Sequence, residues 1–346
     1  MIGMTVAALA KFAPLVAALD VEVVVVDGAQ VSRTPQLRPP LGSAPQLTPH
    51  SPSRAQDILE SQLLVALGAS TRHLVLVGDR VAVRPGGPVA RLSRTFRLDV
   101  SLFERLLRGG VEHASLTAQR RLPPAITRLL LPVYPTLSDH PSTLRRPAVA
   151  GVERPVFFLA HERPEGLDPE TGSRTNAHEA KFVAALAAYL LRQGYAPPQL
   201  AIVSPYCGQR RLIKQCLAEA GAAEVRAASV DHIDEADVVL LSLVRSNDGA
   251  KLGLLEEELL ACRAVSRARL GLYVVGNAKM LYGAENGGLW EGMLKALKQA
   301  DATGNFLPLL ATRGLGGRRA LVRAADDFVG IATEHERAQP GYVEGK

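Results

Sequence analysis

A run of valines, Val23 to Val26, ends in Asp27, which sets a carboxylate at the carboxyl tip of a buried strand. A second apolar run, Val238 to Leu241, follows the acidic cluster Asp234, Glu235 and Asp237 and leads into Ser242, Arg245, Ser246 and Asn247. A short apolar run bounded by polar residues reads as a buried parallel strand. Open α/β sheets place ligands at the carboxyl ends of such strands. Arg267 lies between a helical stretch and another apolar strand, 270–275. Two buried strands with an arginine between them suit a phosphate-reading domain. Cys207, Cys216 and Cys262 form no Cys-x-x-Cys pair or His/Cys cluster, so no zinc site is expected.

The elements that must position these groups are legible from periodicity. Strands are expected at 23–26, 72–77, 156–159, 200–204, 225–229, 238–243 and 270–275. Helices are expected at 4–19 (kinked at Pro14), 57–67, 101–107, 124–131, 176–192, 208–220, 254–265 and 290–298, with Ser101 and Asn176 as N-caps. From about residue 155 strands and helices alternate regularly, which implies a parallel sheet covered on both faces. Residues 30–56 are rich in Pro, Ser and Arg without periodicity and read as a mobile insertion.

The 346 residues suffice for one large or two ordinary domains, and 47% hydrophobic with 21% charged residues is a globular composition. The net charge of +6 permits a polyanion partner without establishing one. Aromatics at 5% leave few surfaces on which bases could stack. The scattered cysteines suit a reducing compartment. The apolar start lacks a basic first segment and is interrupted by Lys11 and Pro14, so it does not read as a signal peptide. No stretch reaches the ~18 apolar residues of a membrane span. A soluble chain of the nucleus or cytoplasm is expected.

The segments, taken in order, resemble superfamily 1 helicases, in the branch containing the nonsense-mediated-decay helicase, senataxin and the zinc-finger helicases linked to RNA silencing. The resemblance is carried by the Val24–Gln30 segment, by Leu74–Asp79 with Arg84-Pro85, and by Leu98–Arg105 and Gln119–Leu122. It continues through Ser204–Gln209, Ser229–Asp231, Leu241–Asn247 and Ala264–Ala268. It implies RecA-like α/β lobes of the P-loop NTPase fold, the first incomplete and the second complete. The expected layout is a partial first lobe over 1–135, a linker over 136–154, a second lobe over 155–310 and a poorly ordered tail over 311–346.

The resemblance also implies roles. Asp27 would hold magnesium, Asp79 belongs to the segment that senses the γ-phosphate, and Arg121 would reach that phosphate. Arg267 resembles an arginine finger that neutralises transition-state charge. Tyr206 and Gln209 resemble the segment bordering the nucleotide, and Glu235 would meet a ribose hydroxyl. Arg245, Ser246 and Asn247 are candidates for nucleic-acid contact. Bland readings stand beside these: strand-end capping for Asp27, surface salt bridges for the arginines, packing for Tyr206 and a solvated loop acid for Glu235. The implied partners are ATP, Mg2+ and single-stranded RNA or DNA, with proteins of an RNA-silencing complex also possible partners.

Departures from the family pattern weaken the expected chemistry. Gly28 stands where a second acidic residue would orient water, Ala82 where a Gln would sense phosphate, and Ile233 runs directly into Asp234 without a Gln-Gly pair. No Gly-x-x-x-x-Gly-Lys-Ser/Thr occurs in the chain. Weak or absent ATP hydrolysis is therefore expected, from truncation or from degeneracy. The losses inside the motifs favour degeneracy. The alternative is a non-catalytic RNA-binding or scaffold subunit.

Overall fold

A computed structural model describes residues 4, 6–27, 60–79, 95–96, 100–233, 235–285, 287–310, 319–329 and 331. The chain divides into two compact units, Met1–Ser115 and Leu116–Lys346. Gly28, Ala82, Arg84, Asp234 and the expected insertion at 30–56 lie outside the described residues.

The first unit holds helices α1 (Val6–Lys11) and α2 (Ala13–Ala17), strand β1 (Val23–Asp27), helix α3 (Glu60–Leu64), strand β2 (His73–Val77) and helix α4 (Leu102–Arg108). Pro14 lies in the first turn of α2, where its missing N–H costs nothing. The Ser101 hydroxyl accepts a hydrogen bond from Glu104 N at 3.1 Å, so the expected cap forms. Strands β1 and β2 pair in parallel, with Asp27 opposite Val77. The side chains alternate: Val26 is buried with Leu63 and Leu102, while Val23, Val25, Val75 and Val77 are about half exposed. The expected buried strand at 23–26 is therefore buried on one face only, because helices cover that face alone among the described residues.

The second unit begins with β3 (Ala118–Gln119), α5 (Pro124–Thr127), β4 (Ser138–Asp139) and β5 (Gly151–Val152). It continues with β6 (Val156–Ala160), β7 (Gly166–Leu167), β8 (Arg174–Thr175), α6 (Ala177–Arg192), β9 (Leu200–Val203), α7 (Cys207–Glu219), β10 (Arg226–Ala228) and β11 (Ala236–Ser242). Helix α8 (Glu258–Val265), β12 (Ala268–Gly276), α9 (Ala278–Gly283), α10 (Gly288–Gln299), β13 (Thr303–Gly304), β14 (Leu307–Leu310) and β15 (Arg319–Val322) complete it.

Six strands form one parallel sheet in the order β10-β9-β11-β12-β6-β13. Its near-continuous apolar strands serve two cores, as a doubly covered parallel sheet requires. Val239, Leu241, Leu272 and Val274 face a cluster built with α8, α10 and the Ile126–Leu130 segment. Val238, Leu240, Tyr273 and Val275 face one built with α6 and α7. Each fully buried Leu or Val contributes about 1.5–3 kcal/mol.

Two expected boundaries differ from the structure. Residues 116–135 pack with the second unit, since Leu122, Ile126, Leu129 and Leu130 enter its core. Within the tail expected to be poorly ordered, β15 pairs antiparallel with β14, and Val322 and Phe328 are buried. Phe328 stacks edge-on to Phe182 at 5.6 Å, so short apolar contacts order a segment whose composition alone reads as polar.

Candidate functional site

The parallel strands place the candidate residues at two opposite edges of the sheet. Glu235 precedes β11 and Arg245 follows it, and seven residues of strand span roughly 20 Å.

At the carboxyl edge, the N-terminal turns of α6 and α7 converge on the end of β11. Asn176 caps α6 by accepting from Glu179 N at 3.2 Å, as its position before the helix predicts. Gln209 is fully buried. Its Nε2 donates to Ser242 Oγ and to the Asn176 carbonyl, both at 3.0 Å, and its Oε1 accepts from Asn176 N at 2.7 Å. Glu179, also fully buried, accepts from Ser242 Oγ at 2.6 Å and Val244 N at 2.9 Å, and its other oxygen lies 3.0 Å from His161 Nε2. Val244 holds a φ of 72°, a left-handed conformation costly for a β-branched residue. Glu179 and Asn176 grip its N–H and C=O and hold it there.

The next three residues are clasped by one carboxylate. Glu165 Oε2 accepts from Arg245 Nε (2.9 Å), Ser246 N (2.8 Å) and Asn247 Nδ2 (3.1 Å), while Arg174 lies 3.2 Å from Oε1. Burial opposes the charge of Glu165, but these donors win and hold its carboxyl below the usual range. Tyr206 is nearly buried, donates to the Leu252 carbonyl at 3.3 Å and adjoins Arg245; burial raises its hydroxyl pKa. Gly253, at φ 59°, leaves the space that Arg245 fills: a Cβ there would stand 2.4 Å from Arg245 Nη1.

The hydrogen-bonding groups of the candidate residues at this edge are largely engaged within the fold. Arg245 and Ser246 are buried, and the Arg245 Nε, Ser246 N–H and Asn247 amide donors are directed at Glu165. Gln209 has its amide satisfied internally, and Tyr206 has its ring in the packing. Glu165 holds Arg245, Ser246 and Asn247 in the loop after β11, while Gln209 is held by Asn176 and Ser242 and Tyr206 by the Leu252 carbonyl.

The amino edge holds the other arginines. Arg121 lies 2.8 Å from Glu235 through Nη2, and its Nη1 donates to the Ser266 carbonyl at 3.2 Å. Arg267, partly buried in the turn from α8 to β12, accepts from Ala236 N at 3.1 Å through its own carbonyl. Arg121, Glu235 and Arg267 thus share one edge, separate from Tyr206 and Gln209. Asp27 and Asp79 share the carboxyl end of the β1–β2 pair in the first unit. Mg2+ is commonly held by one or two carboxylates plus phosphate oxygens, so exposed Asp27 fits as a single ligand.

Glu165, Glu179 and His161 were not marked by any motif. Glu179 sits three residues after an N-cap, where a glutamate reads as helix capping. Its bond to Ser242 spans 63 residues of chain, which no local pattern reveals.

Comparison with known proteins agrees with this architecture. An AAA domain family model matches residues 98–279. NFX1-type zinc finger-containing protein 1 of Homo sapiens is 37% identical over 277 residues, 79% of this chain and 14% of that protein. Helicase required for RNAi-mediated heterochromatin assembly 1 of Schizosaccharomyces pombe is 37% identical over 270 residues, 75% of this chain and 27% of that protein. A Regulator of nonsense transcripts 1 homolog of Arabidopsis thaliana is 31% identical over 265 residues, 70% and 20% respectively. The chain thus spans from about a seventh to about a quarter of these relatives. An Arterivirus helicase solved with DNA superposes at a TM-score of 0.33 with 17% identity, covering 78% of this chain and 51% of that one, too loosely to bear on function. The chain belongs to the AAA domain family, in the superfamily 1 helicase branch.

Proposed function

We propose that this chain is the second lobe, with part of the first, of an ATP-dependent helicase that acts on single-stranded RNA or DNA in RNA metabolism or RNA silencing. The observation that supports the reading is the amino-edge group of Arg121, Glu235 and Arg267. Guanidinium forks match phosphate oxygens and keep their charge at any working pH. Arg121 binds the terminal phosphate, Arg267 neutralises charge on it, and Glu235 accepts a ribose hydroxyl. In the first unit Asp27, beside Asp79, would hold Mg2+, which when bound would neutralise charge on phosphate oxygens. Gly28 and Ala82 provide neither a carboxylate to orient water nor an amide to sense phosphate. Hydrolysis by this chain is correspondingly weak or absent.

The same two residues favour a second reading, a non-catalytic RNA-binding or scaffold subunit of an RNA-silencing complex in the nucleus or cytoplasm. Among the described residues no helix is long and apolar enough to cross a membrane. Phosphate-release assays with and without single-stranded RNA, alongside ATP titration calorimetry, separate the readings. Binding of ATP that is lost in Arg267→Ala, with little turnover, is the expected result. RNA-stimulated turnover at ordinary helicase rates would overturn the weak-hydrolysis reading. Absence of ATP binding in both proteins would leave the scaffold reading.

A further inference from the structure

We propose that Glu235 is an internal competitor for phosphate: in the ligand-free chain its carboxylate occupies Arg121, and a polyphosphate anion must displace it. This rests on the reading of the amino edge as a phosphate site and adds how that site is regulated.

The geometry separates a fixed part of Arg121 from an exchangeable part. Its backbone is anchored by Gln119, whose Oε1 accepts from Arg121 N at 2.8 Å and Leu122 N at 2.7 Å. Gln119 is itself held: its Nε2, with two hydrogens to donate, is shared among the Leu122 carbonyl (2.8 Å), Thr127 Oγ1 (3.0 Å) and Asp139 Oδ1 (2.5 Å). Thr127 Oγ1 also donates to Asp139 Oδ1 at 2.7 Å. Arg146 Nη2 closes the outer side of the turn by donating to the carbonyls of Arg120 (3.3 Å) and Arg121 (3.4 Å). The Arg121 side chain as a whole, by contrast, is 40% exposed and that of its partner Glu235 36% exposed. A preorganised turn therefore presents a solvent-accessible guanidinium whose strongest bond is to a single carboxylate.

A carboxylate on guanidinium is the same charge-assisted contact that a phosphate oxygen makes. A polyphosphate carries several charges against one, so it displaces Glu235. The exchange lowers its affinity by what the exposed ion pair is worth, about two- to fivefold. A nucleoside triphosphate recovers part of this, because the released Glu235 can accept a ribose hydroxyl. Inorganic tripolyphosphate has no ribose and recovers nothing.

Isothermal titration calorimetry on the full chain tests this with tripolyphosphate and ATP as probes. Glu235→Gln is expected to bind tripolyphosphate two- to fivefold more tightly than the unmodified chain, with a smaller gain for ATP. Glu235→Asp, too short to keep the 2.8 Å contact without movement, is expected to follow the Gln variant. On an Arg121→Ala background the Glu235→Gln gain is expected to vanish. Tripolyphosphate affinity that stays level or falls in Glu235→Gln, while the unmodified chain binds ATP, would overturn the competitor and leave the phosphate site standing. Failure of either probe to bind any variant would overturn both.

Discussion

Arg245 Nε donates to Glu165 Oε2 at 2.9 Å, and the two side chains are 9% and 5% exposed. A charge pair so enclosed survives only with its remaining hydrogen-bonding capacity met. Ser246 N and Asn247 Nδ2 meet it on the same oxygen, and Arg174 on the other. The pair orders the loop after β11 and withdraws Arg245 from the surface.

Removing one partner should therefore cost far more than a surface charge would. Glu165→Ala is expected to lose about 3–5 kcal/mol of unfolding free energy, because it leaves the guanidinium buried without its carboxylate. Replacing both residues with apolar ones of similar size is expected to recover most of that loss. Urea unfolding of the single and double variants provides the cycle, and additive losses would show that the pair is not coupled.

Gly253 should tolerate no side chain. Gly253→Ala places a methyl against Arg245 Nη1 at a backbone φ of 59°, so steric clash and left-handed strain add. A loss of about 2–4 kcal/mol is expected, as overpacking and strain each contribute one to three. Thermal unfolding measures it, and a change under about 0.5 kcal/mol would mean that the loop moves freely.

The pH dependence should carry the mark of His178. Burial, followed by the nearby positive fields of His161 and Arg163, lowers its pKa from 6.5 to about 4. Between those values the unfolded chain binds the proton and the folded chain does not, so stability rises with pH across that window. The contribution is complete above about 6.5 and is lost as pH falls towards 4; allowing for partial exposure it amounts to roughly 1–3 kcal/mol. His178→Gln is expected to flatten the stability profile between pH 4 and 6.5. An unchanged slope would contradict the assignment.

Nucleic-acid binding by this chain is expected to weaken with added salt. Because Arg245 Nε faces Glu165, Arg245→Gln is expected to leave the slope of log affinity against log salt unchanged. A slope reduced by about one in fluorescence anisotropy would place a phosphate at that loop after all.

The β15 segment should behave as core rather than tail. Phe328 is 3% exposed and contacts Phe182 and Tyr189. Phe328→Ala is expected to cost about 3–5 kcal/mol, the usual range for truncating a buried phenylalanine. Chemical denaturation decides, since a disordered tail would show no effect.

Much of the frame was legible without coordinates, because its causes are local. The apolar run at 238–241, bounded by polar residues, reads as a buried parallel strand, and Asn176 before an amphipathic run reads as the cap of a helix. The resemblance to superfamily 1 helicases, not any local pattern, marked Gly28 and Ala82 as departures from the family's motifs. Other features depended on partners distant in the chain. Nothing near Arg245 announces that Glu165, 80 residues earlier, takes its donor, and nothing near Ser242 announces Glu179. Arg121 read as part of a first lobe until its bonds to Glu235 and Ser266 set it in the second unit. Residue type and order thus determined the family, the parallel sheet and the candidate chemistry. Only the tertiary structure decided which arginine is locked behind a buried acid and which keeps its guanidinium at the surface, because burial and counter-charge are properties of the assembled fold.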